Sequence, residues 1–344
     1  MSIIHAAQAA QLLQEYWQLQ GEISALPSYA DCNFRVRCAN AEYVLKIASA
    51  DWHYDDLALE NATMRHLQSL QHTDGSALFP AVIPARNGRD LIPLPPEFGQ
   101  GWVRLLSFVP GQVYADAAKQ ISVSEQRFLL EHSLGQLLGK MHAQLQHFSH
   151  PQAERLHAWN LQQLVQLGDE IVLLKDTALR EIVSRHVQYF VRQQLHWQHK
   201  LPQAVLHNDA NDYNLIVRDG RVAALIDFGD MCHSYRVAEI AIAACYAMTY
   251  HNDDPLRSAA TIAAAFDAEL RLNEAEWEAL FPMICARLCQ SVLMAERAHR
   301  ADPDNPYILI SQPAVRRLLM QLDQMPRSLA QRQLRLKYKE SELC

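Results

Sequence analysis

The chain has 344 residues, 49% of them hydrophobic and 20% charged, which is enough for about two domains with cores of their own. Its 31 Lys plus Arg stand against 38 Asp plus Glu, for a formal charge of −7, and no basic block appears; a nucleic-acid binder working through phosphate contacts is excluded. The same figures exclude a disordered tail, a collagen-like rod and a disulfide-dense mini-protein, and seven scattered cysteines fit reduced thiols in a cytosol.

The N-terminal stretch MSIIHAAQAAQLLQEYW has no basic n-region and is not expected to be a signal peptide. Apolar positions at helical spacing predict a helix over residues 4–19. From Asn33 the period becomes two. Phe34, Val36 and Cys38 alternate with polar neighbours, a turn falls at Ala39–Ala41, and Tyr43, Leu45 and Ile47 follow, predicting a hairpin whose second strand ends near Lys46. Residues 56–70 return to a helical pattern. Strands are expected at Phe79–Ile83 and Trp102–Val109, separated by the proline-rich loop IPLPPEFG.

Beyond Pro110-Gly111 the pattern is helical. Ser122 and Glu125 have the spacing of a capping box, followed by a stripe of Leu130, Leu134, Leu137, Leu138, Met141 and Leu145. Helical spacing continues over 158–200. Asp219-Gly220, between Leu215/Val217 and Val222/Ala224/Ile226, predicts an embedded β-hairpin. The longest apolar run, Val237–Tyr250, is too short to span a bilayer and contains Glu239, so no membrane partner is expected and the protein is read as cytoplasmic. The layout is α+β: a small strand-rich lobe over 1–108 and a larger helical lobe over 109–344, joined near Val109–Gly111. A ligand is expected in the cleft between them.

Chemistry concentrates around the embedded hairpin. His207-Asn208-Asp209-Ala210-Asn211-Asp212-Tyr213-Asn214 precedes it and Asp227-Phe228-Gly229-Asp230 follows. A tight hairpin is expected to return Asn214 and Asp227 to one place, where an amide oxygen and a carboxylate suit Mg²⁺. Asp209 is placed to orient a substrate hydroxyl. This is the catalytic-loop and D-F-G order of phosphoryl-transfer enzymes. Lys46 is expected on the nucleotide phosphates, paired with Glu60 of the following helix. The phosphate-covering G-x-G-x-x-G of protein kinases is missing. The loop Pro27–Asn33 must therefore work through the Ser28 hydroxyl and backbone amides, with Asn33 at its end. Residues 105–109, with Leu106 and Phe108, are expected to form the hinge that meets a purine. The histidine-arginine-aspartate triplet and the A-P-E element of protein kinases are also missing, which argues against a protein substrate.

The segments HNDANDYN and IDFGD resemble the aminoglycoside phosphotransferase superfamily of small-molecule kinases. LPSYADCNFRV, YVLKIA, VRLLSFVPG, IDFGDMCHSYRVAEIAIAACYAM, RLCQSVLMA and PDNPYILIS are similar, in order over about 26–325, to its hydroxylysine kinase branch. The resemblance implies a bilobal protein-kinase-like fold, Mg²⁺, a nucleoside triphosphate (GTP in that branch, with ATP the alternative) and a hydroxyl-bearing amino acid or amino alcohol as acceptor. An aminoglycoside, homoserine or choline-type acceptor remains an alternative, as does a catalytically silent nucleotide-binding regulator. Asn208 departs from the family, which has glycine between histidine and aspartate, and a side chain there is expected to narrow the acceptor side.

Other candidates carry two readings each. Glu239 and Arg287 are lone charges in apolar helices. Either they pair with each other or tie down the catalytic loop, Glu239 to His207, or Arg287 grips a substrate carboxylate. Asp212 and Asp230 either meet an acceptor ammonium or are solvated turn residues. His207, grouped with Asp209 and Lys46 as catalytic, fits a hydrogen-bonded loop organiser better than a base. Oligomeric state is not legible.

Overall fold

The computed structural model describes residues 4–27, 31–250 and 254–341, with backbone alone for 306, 307 and 336–341. It divides into two compact units: Met1–Pro110 with Ala224–Gly229, and Gly111–Ala223 with Asp230–Cys344.

The first unit opens with α1 (Ala6–Trp17), followed by β1 (Glu22–Leu26), β2 (Cys32–Arg37) and β3 (Glu42–Ser49). Then come α2 (Tyr54–Leu67), β4 (Val82–Ile83), β5 (Ile92–Pro93) and β6 (Gly101–Ser107). All six strands join one antiparallel sheet, ordered β1-β2-β3-β6-β4 with β5 also on β6. Alternation sends Phe34, Val36, Leu45, Ile47, Val103 and Leu105 into one core, where α1 adds Ala9, Leu12, Leu13 and Trp17. The indole Nε1 of Trp17 donates to the Ile83 carbonyl at 3.0 Å. Residues 224–229 are held in this unit by the Leu225 amide, 3.1 Å from the Leu78 carbonyl, and by an edge-on contact of Phe228 with Phe79.

The second unit contains β7 (Gln112–Val113), α3 (Tyr114–Gln120), α4 (Ser124–Leu145), α5 (Gly168–Ile171) and α6 (Thr177–Trp197). After them run β8 (Gln203–Leu206), β9 (Leu215–Arg218), β10 (Arg221–Leu225, whose first residues belong here) and β11 (Cys232–Tyr235). It ends with α7 (Val237–Met248), α8 (Pro255–Glu269), α9 (Glu274–Ala301), α10 (Gln312–Asp323) and α11 (Arg327–Ser341). β7, β9 and β10 form one small sheet, and β8 with β11 another. α9 is the spine. Among the described residues it is the one helix long and apolar enough to cross a membrane, and 83% of its apolar window is buried inside the protein. α4 and α8 approach closely because a Cβ on Gly135 would lie 2.2 Å from the Ile262 carbonyl oxygen and one on Gly139 2.7 Å from Glu269 Cβ.

The α+β class and the embedded hairpin are as expected. Three details differ. β3 runs on to Ser49, past Lys46. The Ser122–Glu125 capping box does not form: Val123 is the N-cap, with no side-chain cap bond. β1, β7, β8 and β11 were not legible, since each is only two to five residues long, and β7, β8 and β11 draw their partners from beyond the neighbouring strand.

Candidate active site

In the first unit, β3 carries Lys46 on the face opposite Leu45 and Ile47, and its Nζ donates to Oδ1 of Asp227 at 2.9 Å. The expected Lys46–Glu60 pair is corrected by this contact. Glu60 does lie on α2, but its carboxylate takes Nη2 of Arg104, while Nη1 of Arg104 donates to Oδ1 of Asn61 at 3.0 Å. Arg104 sits directly across from Lys46 in the β3–β6 register. The reason is desolvation: the Arg104 and Glu60 side chains are 3% and 2% exposed, and a buried planar guanidinium claims the carboxylate that its fork can share with Asn61. The ammonium of Lys46 is left to Asp227, whose side chain is 50% exposed.

Asp31 completes this cluster by accepting from Trp52 Nε1 at 2.9 Å. Burial pushes its carboxyl above the ordinary value against the pull of Lys46, Trp52 and Arg104, and Glu60 pushes the same way. Asn33 pairs with Lys46 across β2–β3, and its Oδ1 is buried with no hydrogen-bond partner among the described residues. Ser28 lies outside the described residues. Leu106 is buried between Val44 and Val82. Phe108 lies 3.9 Å from the Arg35 guanidinium. Two amides of the expected hinge are already engaged, Ser107 with the Ala81 carbonyl at 2.8 Å and Phe108 with that of Glu42 at 3.0 Å.

In the second unit, β8 leads into the HNDANDYN loop. Asn208 adopts the left-handed region at φ +67, which explains why glycine suits that position and asparagine replaces it at little cost. Its side chain is buried and Nδ2 donates to the Asp230 carbonyl at 3.1 Å, so it braces the loop itself, which corrects the expected narrowing of the acceptor side. Glu239, in the first turn of α7, accepts from the His207 and Asn208 amides at 2.7 and 3.1 Å. Burial alone would raise its carboxyl, yet the hydrogen bond and charge of His142, the charge of His207 and its amide hold it below the ordinary value. His207 is fully buried, and its Nδ1 accepts from the Asp209 amide at 3.3 Å, the geometry of a loop organiser.

Asp209 is held on both oxygens. Oδ2 accepts from Asn211 Nδ2 and Asn214 Nδ2, each at 2.8 Å, and Oδ1 from Arg287 Nη2 at 3.3 Å. Arg287 pairs with Asp209 and not with Glu239. Asp212 accepts from the Tyr250 hydroxyl; burial raises its carboxyl against that bond, its own amide and Lys119. Asp230 pairs with His157 Nε2 at 3.2 Å. Both acids lie in turns and are partly exposed, and each has a side-chain partner. A cavity of about 610 Å³ in this unit, lined by His142, His150, Glu154, Gln203, His233 and Arg236, contains none of the expected site residues.

The structure thus joins Lys46 to Asp227 in one unit, and Asp209 to Asn214 and Arg287 in the other. Asn214 turns its amide nitrogen to the Asp209 carbonyl and carboxylate, which sets its oxygen on the opposite side of the amide. An amide oxygen and a carboxylate are donor types that a hard cation takes. No three His, Cys, Asp or Glu side chains gather as a metal cage among the described residues. Arg104, Asp31, His142, Tyr246 and Gln290 went unnoticed in the sequence. Gln290 had a signal, one helical turn from Arg287; the others come together only through the fold.

Comparison with known proteins extends this picture along the chain. Hydroxylysine kinase of Mus musculus is 28% identical over 352 aligned positions, covering 93% of this chain and 89% of the relative. Among solved structures, an amicoumacin kinase superposes with TM-score 0.67 at 14% identity, covering 94% of this chain and 95% of the other. A microcompartment-associated aminopropanol kinase gives TM-score 0.61 at 15% identity, with 96% and 98% covered. These likenesses place the fold with small-molecule kinases of the protein-kinase-like type, as the motifs implied. Residues 22–280, three-quarters of the sequence, match the phosphotransferase enzyme family, and the chain belongs to it.

Proposed function

We propose that this phosphotransferase moves the γ-phosphoryl group of GTP or ATP, as the Mg²⁺ complex, onto the hydroxyl of a hydroxylysine-like amino acid or amino alcohol. The observation that carries the reading is the Asp209 carboxylate, held at 2.8 Å by both Asn211 and Asn214 inside the HNDANDYN loop. The similarity to hydroxylysine kinases supports the acceptor class.

In this reading Asp209 accepts a hydrogen bond from the acceptor hydroxyl and aims its oxygen at phosphorus. A carboxylate is far less basic than an alkoxide, so it takes the proton fully only late in a loose transfer. Lys46 steadies the α- and β-phosphates. Asn214 and Asp227 would hold the metal, which when bound neutralises charge on the β- and γ-oxygens. Positioning and charge neutralisation supply most of the acceleration. For the purine, Val109 carries the first hinge amide that has no hydrogen-bond partner among the described residues, because those of Ser107 and Phe108 are engaged. The six described cysteines are free thiols, which supports a reducing, cytoplasmic setting.

The test is mass-spectrometric detection of a phosphorylated product from a panel of hydroxylysine, homoserine, choline and an aminoglycoside, run with each nucleotide. Phosphorylated hydroxylysine is the expected product. Transfer only to another panel member overturns the acceptor class, and nucleotide binding without transfer to any of them favours the silent regulator.

A further inference from the structure

We propose that Arg287 is a positioning residue for phosphoryl transfer: it fixes the Asp209 carboxylate and does not contact the acceptor. The inference rests on the reading of Asp209 as the group that orients the acceptor hydroxyl. Arg287 lies mid-way along α9 at 1% exposure, so its charge must be answered inside the protein. Most of its guanidinium is anchored without Asp209. Nη1 donates to the Trp159 carbonyl at 3.2 Å and to Gln290 Oε1 at 3.3 Å, and the guanidinium carbon sits 4.6 Å from the Trp159 ring centroid. Gln290 is itself fixed, since its Nε2 donates to the Ala158 carbonyl at 3.0 Å. The nearby Tyr246 side chain also favours the charged guanidinium.

Nη2 is the part that reaches the catalytic loop, 3.3 Å from Asp209 Oδ1. Asn211 and Asn214 hold the other oxygen, so the carboxylate is pinned at both ends by partners from two different elements. The loop supplies one end and the α9 core the other. A group gripped in this way keeps one rotamer, which is what an acceptor hydroxyl needs for in-line alignment. The reading also explains why a full positive charge is tolerated at the centre of α9. Asp209 is the carboxylate in direct contact with it, and Asp230 adds a longer-range pull.

A positioning role and a substrate grip predict different kinetics. With hydroxylysine and with its decarboxylated amino-alcohol analogue as acceptors, Arg287→Lys is expected to lower kcat about 10- to 100-fold for both, with each KM within about threefold of wild type. Arg287→Met is expected to fall further than Arg287→Lys at equal folded fraction, because lysine retains the charge. A KM that rises only for the carboxylate-bearing acceptor, with kcat kept, overturns the proposal in favour of a carboxylate grip, and unchanged kinetics overturn it outright. A second arm needs no acceptor. In urea unfolding, the midpoint drop of the Arg287→Met/Asp209→Asn double variant is expected to be at most about half the sum of the two single drops. Additive drops overturn the coupling. If wild type phosphorylates neither acceptor, the acceptor class fails while the unfolding arm still decides the Arg287–Asp209 link.

Discussion

The Nζ of Lys46 lies 2.9 Å from Oδ1 of Asp227, joining residues 181 positions apart within one compact unit. The two charges neutralise each other, and in the proposed reading bound phosphate oxygens offer Lys46 a second set of acceptors. Asp227 also holds φ at +63, a conformation with a cost of order 1–3 kcal/mol that tends to persist at functional positions. Asp227→Ala is expected to abolish the metal dependence of nucleotide binding, measured by titration calorimetry with and without Mg²⁺. Retention of a metal-dependent affinity difference counts against the role of Asp227.

In the proposed reading, Asp209→Ala removes the carboxylate that orients the acceptor while leaving Lys46 and Asp227 in place. Turnover is expected to fall by roughly 10²–10⁴, with nucleotide affinity little changed. Steady-state kinetics paired with nucleotide titration measures both quantities, and turnover close to wild type removes Asp209 from its role.

Glu60 answers a charge other than the expected one. Since its partner Arg104 is 3% exposed, Glu60→Gln strands a guanidinium in the core, at a cost of about 3–5 kcal/mol. Denaturant unfolding should therefore show a large drop in stability. Nucleotide KM, measured below the unfolding range, should change little. A KM effect without loss of stability would mean that Glu60 serves the phosphates directly.

How far the sequence reaches follows from which contacts are local. The β2–β3 hairpin, the hairpin at Asp219-Gly220 and the HNDANDYN loop were legible because alternation, turn chemistry and motif spacing lie within a few residues. The tie between Glu239 and His207 was legible in outline, because a lone carboxylate in an apolar helix needs partners. The Glu60–Arg104 pair was not. Lys46 and Arg104 face the same helix from neighbouring strands, and spacing alone cannot say which cation is more deeply buried. Asp31 stayed hidden for a related reason: its neighbours Trp52, Lys46 and Arg104 gather only when the sheet forms.

Asn208 separates a backbone requirement from a side-chain one. At φ +67, alanine is strained by about 1–2 kcal/mol and also loses the bond to the Asp230 carbonyl, whereas glycine loses only the bond. Asn208→Gly is thus expected to be more stable than Asn208→Ala and to retain turnover. Thermal unfolding with parallel kinetics decides it; equal damage from both would move the requirement to the amide.

Acid stability isolates Glu239. Its carboxyl is held below the ordinary value of 4.5, so its contribution is present above that pH and is lost as pH falls through the lower folded value. Asp31 and Asp212 run the other way, because burial raises both: the folded state favours their protonated forms, and stability falls as pH rises through their raised values. The whole-protein profile therefore mixes opposing slopes, and the informative quantity is the difference between wild type and Glu239→Gln. Glutamine can still accept from one loop amide but carries no titrating charge. The stability gap between the two proteins is expected to be widest near neutrality and to close below pH 4.5, measured by urea midpoints across a pH series. A gap independent of pH over that range would mean that Glu239 braces the His207–Asn208 amides by shape alone, without the charge that His142 and the loop have been arranged to stabilise.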